Sequence, residues 1–175
     1  MTYKNFETER LYLRPTSEAD AEFILTLLNT PSWMQYIGDR KVHTVEEAKN
    51  YIKVKMLPQL ERLGYGNYTL IRKEDQQKIG TCGLYDREGL EGIDIGFALL
   101  PAYEKKGYAF EAATKIRDAA FQEFNIPMIC AITTESNSSS QRLLEKIGLK
   151  RSGTTVLPND EEELLVYQLT KLELH

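Results

Sequence analysis

The segment Pro101 to Ala109 (PAYEKKGYA) joins a strand-like run to a helix-like one, and its residue types suit the binding of an anion. Successive amides at the start of a helix point along the axis into open space, and with the helix dipole they make a site for a diphosphate. Gly107 and Ala109 are small enough to let an anion reach the backbone, and Lys105 and Lys106 add positive charge. Taken alone, the segment also fits a plain loop glycine beside a solvated lysine pair. A second group lies downstream in ESNSSSQRLLEKIGLK (Glu135 to Lys150), where Asn137 and Ser140 open a helix directly after a buried strand.

Other chemistries lack their residues. The patterns GxxxxGK[ST], HExxH, CxxC and GxSxG are absent. The only histidines are His43, in a polar connector, and His175, the last residue, so no Ser-His or Cys-His nucleophile pair is expected. Cys82 and Cys130 sit in apolar, strand-like runs without metal-ligand spacing and read as reduced core residues of a cytosolic protein.

At 175 residues the chain has the length of one domain, expected to run from 1 to 175. Hydrophobic residues at 42% and charged residues at 27% argue against a disordered or fibrous chain. Lys and Arg total 22 against 26 for Asp and Glu, and the formal charge of −4 argues against bulk nucleic-acid binding. The opening MTYKNFETER is too polar for a signal peptide, and no apolar run approaches the roughly 18 residues of a membrane helix. A cytoplasmic protein with no membrane partner is the expectation.

The elements that would position these residues follow from periodicity. Residues 7–14 read as a strand that Pro15 stops, and Phe23, Ile24, Leu27 and Leu28 repeat at helical spacing. Trp33, Met34, Tyr36 and Ile37 form an apolar knot that is either a short core helix or the wall of a substrate pocket. Thr44 and Glu47 form a capping box before a helix to about Leu63, with Pro58 as a break or kink, and Gly64 ends it. Tyr65–Arg72, Lys78–Tyr85 and Gly92–Leu100 read as an antiparallel meander. Gly107 to Phe124 is helical, PMICAITT (Pro127 to Thr134) is a strand buried on both faces, and Asn137 caps a helix that Gly148 ends. Lys150–Leu157 and Leu164–Leu172 close the chain as a hairpin. The order implies an α/β (α+β) domain of about seven strands with a parallel strand–helix–strand unit inside it.

At this point the sequence resembles the GNAT acetyltransferase superfamily, and within it the ribosomal-protein alanine N-acetyltransferases. TERLYLRP (Thr8 to Pro15) is similar to that branch's first strand, and GFALLPAYEKKGYAFEAA (Gly96 to Ala113) to its fourth strand and cofactor loop. SNSSSQRLLEKIGL matches its N-x-x-S-x-x-L-L-E-K-x-G-F block. The similarity spans nearly the whole chain and implies a mixed sheet with splayed central strands.

The resemblance implies acetyl-CoA as donor and an amine as acceptor. Backbone groups of Phe97, Ala98 and Leu99 would pair with the pantetheine, amides of Lys105, Lys106, Gly107, Tyr108 and Ala109 would hold the pyrophosphate, and Asn137 and Ser140 would face the cofactor. Three positions depart from the superfamily pattern. Glu104 stands where the loop motif begins with Gln or Arg, Lys105 where the next position is frequently glycine, and Leu144 where many members carry a tyrosine that protonates the leaving thiolate. Ser140 remains to stabilise the thiolate by hydrogen bonding. Asp94, at a position often acidic in this branch, is the first candidate base, through a water; Glu111 and Glu135 follow it. Asp94 also reads as a solvent-facing strand carboxylate, and Ser140 as an ordinary first-turn helix residue.

An α-amino group has a pKa near 8 and a lysine side chain near 10.4, a gap of about 3 kcal/mol in deprotonation at neutral pH. The expected acceptor is therefore a peptide N-terminus or a small-molecule amine of low pKa, although an acidic enzyme also attracts cationic acceptors such as a polyamine. Trp33, Tyr36, Tyr68 and Tyr85 are the expected pocket lining, and core packing accounts for each as well. A metal site is not expected, and the chain would be a monomer or a homodimer. The alternative is a non-catalytic acyl-CoA-binding or sensing domain of the same fold.

Overall fold

A computed structural model describes residues 2–174. Eight strands form one sheet in the order β1-β2-β3-β4-β5-β6-β8-β7. The first predicted strand is two: β1 (Phe6–Glu7) and β2 (Leu11–Pro15), folded against each other with Phe6 opposite Leu13. That split accounts for eight strands rather than seven. The meander follows as β3 (Asn67–Arg72), β4 (Lys78–Tyr85) and β5 (Ile93–Leu99), all antiparallel. β6 (Met128–Thr133) lies parallel to β5, and β7 (Lys150–Thr155) and β8 (Leu164–Thr170) complete the sheet.

Alternation of side chains along the strands builds two apolar layers. One face, with Tyr68, Leu70, Cys82, Leu84, Ile95, Ile129 and Ala131, packs against α5 (Tyr108–Gln122) and α6 (Ser138–Lys146). The opposite face lies towards the N-terminal helices α1 (Ala21–Leu28), α2 (Pro31–Tyr36), α3 (Val45–Tyr51) and α4 (Leu57–Leu63), whose own cluster includes Ile24, Leu28, Ala48 and Ile52 and takes in Ala98 of β5. This face is polar where β2, β3 and β4 meet: Thr16, Asn67, Thr69, Asp20 and Tyr85 are linked by hydrogen bonds across the sheet. Both cysteines are buried and free.

The expected helix to Leu63 does not break at Pro58. It widens instead into a π-helical turn, Ile52–Met56, where Leu57 N–H donates to the carbonyl of Ile52. Proline lacks the N–H that would serve the carbonyl four residues back, and shifting the bonds to five-residue spacing lets the helix continue. α2 carries the apolar knot, but none of its residues is buried, and Met34 and Ile37 are 39% and 41% exposed. It is therefore not a core helix. Among the described residues no helix is long and apolar enough to cross a membrane, and no cluster of potential metal ligands occurs.

Candidate active site

The parallel pair β5–β6 is short. Ile93 pairs with Ile129 and Asp94 with Cys130, and there the pairing ends, although β5 runs on to Leu99 and β6 to Thr133. Each strand is held on its other side, β5 by β4 as far as Leu99/Gly80 and β6 by β8 as far as Thr133/Leu165. The result is a wedge with fixed walls, its apex at Asp94/Cys130 and its mouth at Leu99 and Thr133.

Strand alternation decides which backbone groups face the wedge. Leu100 N–H donates to Ile79 O at 2.8 Å, which makes that pair hydrogen-bonded, so Ala98/Thr81 and Gly96/Gly83 are bonded in turn. On the other side of β4, Leu84 N–H donates to Gly66 O at 3.1 Å, which turns Leu84 away from β5 and gives the same phase. Phe97 and Leu99 therefore turn their N–H and C=O groups towards the wedge. Ala98 does not: its carbonyl faces β4, so near that a Cβ on Gly80 would lie 2.3 Å from it. The expectation that Ala98 offers its backbone to a ligand meets this geometry, and only Phe97 and Leu99 have free groups.

At the mouth, a 3₁₀ turn (Pro101–Tyr103) leads into α5. Lys105 and Gly107 both adopt left-handed backbone, with φ of +61° and +85°, and Gly107 is the N-cap of α5. The first backbone bond into the helix is Glu111 N–H to Gly107 O at 3.0 Å. Among the described residues, none of the amides of residues 105–110 donates to a protein acceptor. Six amides without a protein acceptor at and before the N-terminus of a 15-residue helix are donors of the kind that can hold an anion. Glu104, the departure from the expected motif, lies within 3.4 Å of the Ser32 hydroxyl on α2.

Asn137 accepts from the Ser140 amide at 3.2 Å and so caps α6 with its side-chain oxygen. Ser140 is half-buried at the third helical position, and its hydroxyl has no partner among the described residues. Leu144 is 1% exposed and packs in the core cluster on the α5 face, with no titratable group at that position.

Asp94 is 2% exposed, not solvent-facing, and lies at the apex on the side of the sheet facing α1–α4. Its carboxylate accepts from Arg87 Nε at 3.0 Å. Burial pushes its pKa up to about 6, against the charge and hydrogen bond of Arg87, which pull it down. Glu111 is bound to Arg10 and Thr8 and held below the usual carboxylate range, because those bonds outweigh its partial burial. It is thus a support of the loop rather than a base. Glu135 is exposed.

Of the four expected pocket aromatics, Tyr85 lies beside Asp94, its ring 3.0 Å from where a Cβ on Gly96 would stand and its hydroxyl donating to Asn67. Trp33 and Tyr36 are half-buried on α2, and Trp33 packs on the α1–α3 cluster. Tyr68 is elsewhere: it is 0% exposed, edge-on to Phe6 at 5.5 Å, on the α5 face of the sheet. It is a core residue, and its side chain is directed away from Asp94. The sequence reading passed over Arg87 and Arg10. Both act across distances that no local motif encodes, although pairing Tyr85 with Asp94 in a hairpin does bring Arg87 back to Asp94.

Residues 10–150 match the family model described as an acetyltransferase (GNAT) domain. The chain belongs to the GNAT acetyltransferase family. It is an N-acetyltransferase, with a mixed α/β GNAT fold. It is 30% identical over 146 residues to the "uncharacterized N-acetyltransferase YnaD" of Bacillus subtilis (strain 168), covering 83% of this chain and 82% of that one. A solved acetyltransferase from Agrobacterium tumefaciens str. C58 superposes with a TM-score of 0.81 at 25% identity, over 98% of this chain and 96% of that one. A ribosomal L7/L12 alpha-N-protein acetyltransferase solved with coenzyme A shares the fold, with a TM-score of 0.81 at 14% identity over 95% and 98% of the two chains.

Proposed function

We propose that this GNAT enzyme transfers an acetyl group from acetyl-CoA directly to a primary amine, either a peptide N-terminus or a small-molecule amine of low pKa. The observation that carries this reading is the strand edge left open at Phe97 and Leu99 inside an otherwise paired sheet. Backbone groups there need a partner, and the amide-bearing pantetheine arm is an extended chain of the right kind. The free amides of residues 105–110 suit its diphosphate, and the coenzyme A complex of a fold neighbour supports the same donor class. Acetyl-CoA supplies an activated thioester; everything else falls to the protein.

Asp94 takes the proton from the attacking amine, directly or through a water. With a pKa of about 6 it is ionised at neutral pH. Accepting a proton from an α-ammonium near pKa 8 is uphill by about 3 kcal/mol, and from a lysine near 10.4 by about 6. That difference favours the α-amine class. The free N–H groups of the β5 edge would hydrogen-bond a thioester carbonyl, and Ser140 would do the same for the departing sulfur. Pro158, in the β7–β8 loop, packs on Gly89 of the β4–β5 loop, so two loops that leave opposite ends of the sheet meet, one carrying Asp160, Glu161, Glu162 and Glu163 and the other Glu88 and Glu91. This negative rim would draw ammonium groups towards Asp94.

Thiol release from acetyl-CoA, measured against free-N-terminus peptides, N-blocked lysine peptides and small amines, tests the reading. Turnover is expected with α-amines or small amines and at least tenfold less with blocked lysine peptides. Tight coenzyme A binding with no thiol released from any acceptor would instead leave an acyl-CoA-binding domain.

A further inference from the structure

Arg10, on the turn between β1 and β2, reaches across to the start of α5 and touches it in three ways. Nη1 donates to the carbonyl of Lys106 at 3.0 Å, Nε donates to Glu111 at 2.8 Å, and the guanidinium lies 4.2 Å from the centre of the Tyr108 ring. Glu111 is itself fixed from the same turn, accepting from the Arg10 amide at 2.9 Å and from the Thr8 hydroxyl. We propose that Arg10 is the positioning residue of the diphosphate cradle: it holds the Lys106 carbonyl back against β1–β2 so that the amides of residues 105–110 stay turned outward.

The backbone around this carbonyl needs such a hold. Lys105 is a non-glycine residue in left-handed conformation, a shape that its Cβ disfavours. An unheld loop would relax, and the relaxation would turn amides away from the anion. The guanidinium fork meets a carbonyl, a carboxylate and an aromatic face at once, a combination that lysine's single ammonium cannot reproduce. Nη2 has no partner among the described residues and would lie 3.2 Å from a Cβ at Gly107, so the positive charge also sits beside the cradle. The inference rests on acetyl-CoA being the donor.

The test compares donors with and without the diphosphate. Arg10→Ala and Arg10→Lys are assayed with acetyl-CoA, its 3′-dephospho form and S-acetylpantetheine, with thermal melting recorded alongside. The expected result is a 10- to 100-fold rise in KM for the two diphosphate-bearing donors in Arg10→Ala, and a smaller rise in Arg10→Lys. With saturating donor, kcat is retained, and kcat/KM for S-acetylpantetheine changes less than threefold. Equal losses for all three donors would reduce Arg10 to a structural residue, and no change for any would overturn the inference outright. Arg10→Lys and the donor ratio remain readable if Arg10→Ala folds poorly. Failure of the wild-type chain to use any of the donors would defeat the donor assignment itself, a separate outcome.

Discussion

Asp20 and Asp94 are both buried, at 1% and 2% exposure, on the same side of one sheet, yet their acidities are displaced in opposite directions. Burial raises both. At Asp20 it is outweighed: Arg14 pairs through both terminal nitrogens at 2.7 Å, Lys78 at 2.7 Å, and the Ser17 amide and Thr69 hydroxyl add bonds, so the carboxyl is held well below the usual range. Among the described residues Asp94 has Arg87 alone. One carboxylate is saturated with donors, and the other keeps lone pairs without a donor among the described residues. A saturated carboxylate ties β2 to β3 and β4; an undersatisfied one at the apex of an open wedge can exchange a proton near neutrality.

The largest expected effect is on catalysis. Asp94→Asn preserves shape and removes the base, and kcat should fall 10²- to 10³-fold near pH 7, within the range of general base catalysis. The deficit should narrow at high pH, where more acceptor is already neutral, and the acid limb of the wild-type rate, centred near pH 6, should vanish. Steady-state rates from pH 5 to 9 check this. An unaltered profile would remove Asp94 from its role.

Next in size is stability, where the two aspartates differ in sign. Asp20→Asn leaves Arg14 and Lys78 short of a partner and should destabilise the fold by about 3–5 kcal/mol, with kcat of the folded fraction unchanged. The contribution of Asp20 is present above the unfolded carboxylate pKa and is lost as pH falls through its lower folded value. For Asp94 the folded pKa is the higher one, so its contribution is present at low pH and lost as pH rises through about 6, by up to about 3 kcal/mol. Melting curves of wild type and Asp94→Asn should therefore converge in slope outside pH 4–6 and diverge within it. A constant difference over that range would mean that Asp94 titrates normally in the folded chain.

Much of this was legible from local pattern. The strand–helix–strand unit, the caps at Thr44, Asn137 and Gly148 and the start of α5 after Gly107 are written in contiguous residues, because helix starts and tight turns are chosen by neighbours along the chain. The failures have a different origin. Tyr68 and Tyr85 lie on adjacent strands and have the same residue type, but strand parity sends one ring to the core and the other beside Asp94, and parity depends on the bulge and register of the whole sheet. Ala98 fails by the same one-residue alternation of backbone direction. The cap-rich run from Thr16 to Asp20 is legible, but the ion pairs of Asp20 are not, since its partners Arg14 and Lys78 are 6 and 58 positions away, and a single sequence does not show which charges meet.

The smallest expected effect concerns Arg87, the cation paired with Asp94. Arg87 sits on the turn after β4, a third exposed, with its guanidinium 5.7 Å from the centre of the Tyr85 ring. Its charge and hydrogen bond counter the burial of Asp94, so Arg87→Gln should let the carboxyl rise further. The acid limb of kcat should then move upward by about 1–2 pH units, the usual influence of one close opposite charge. At pH 9, where Asp94 is ionised in either protein, the two rates should come together within a few-fold. This separates tuning from direct participation: if Arg87 also contacted the acceptor, the loss would persist at high pH and would appear in KM for the amine. A double variant sharpens the point further. In an Asp94→Asn background, Arg87→Gln should have little additional effect on the pH profile, because the group whose acidity it sets is gone.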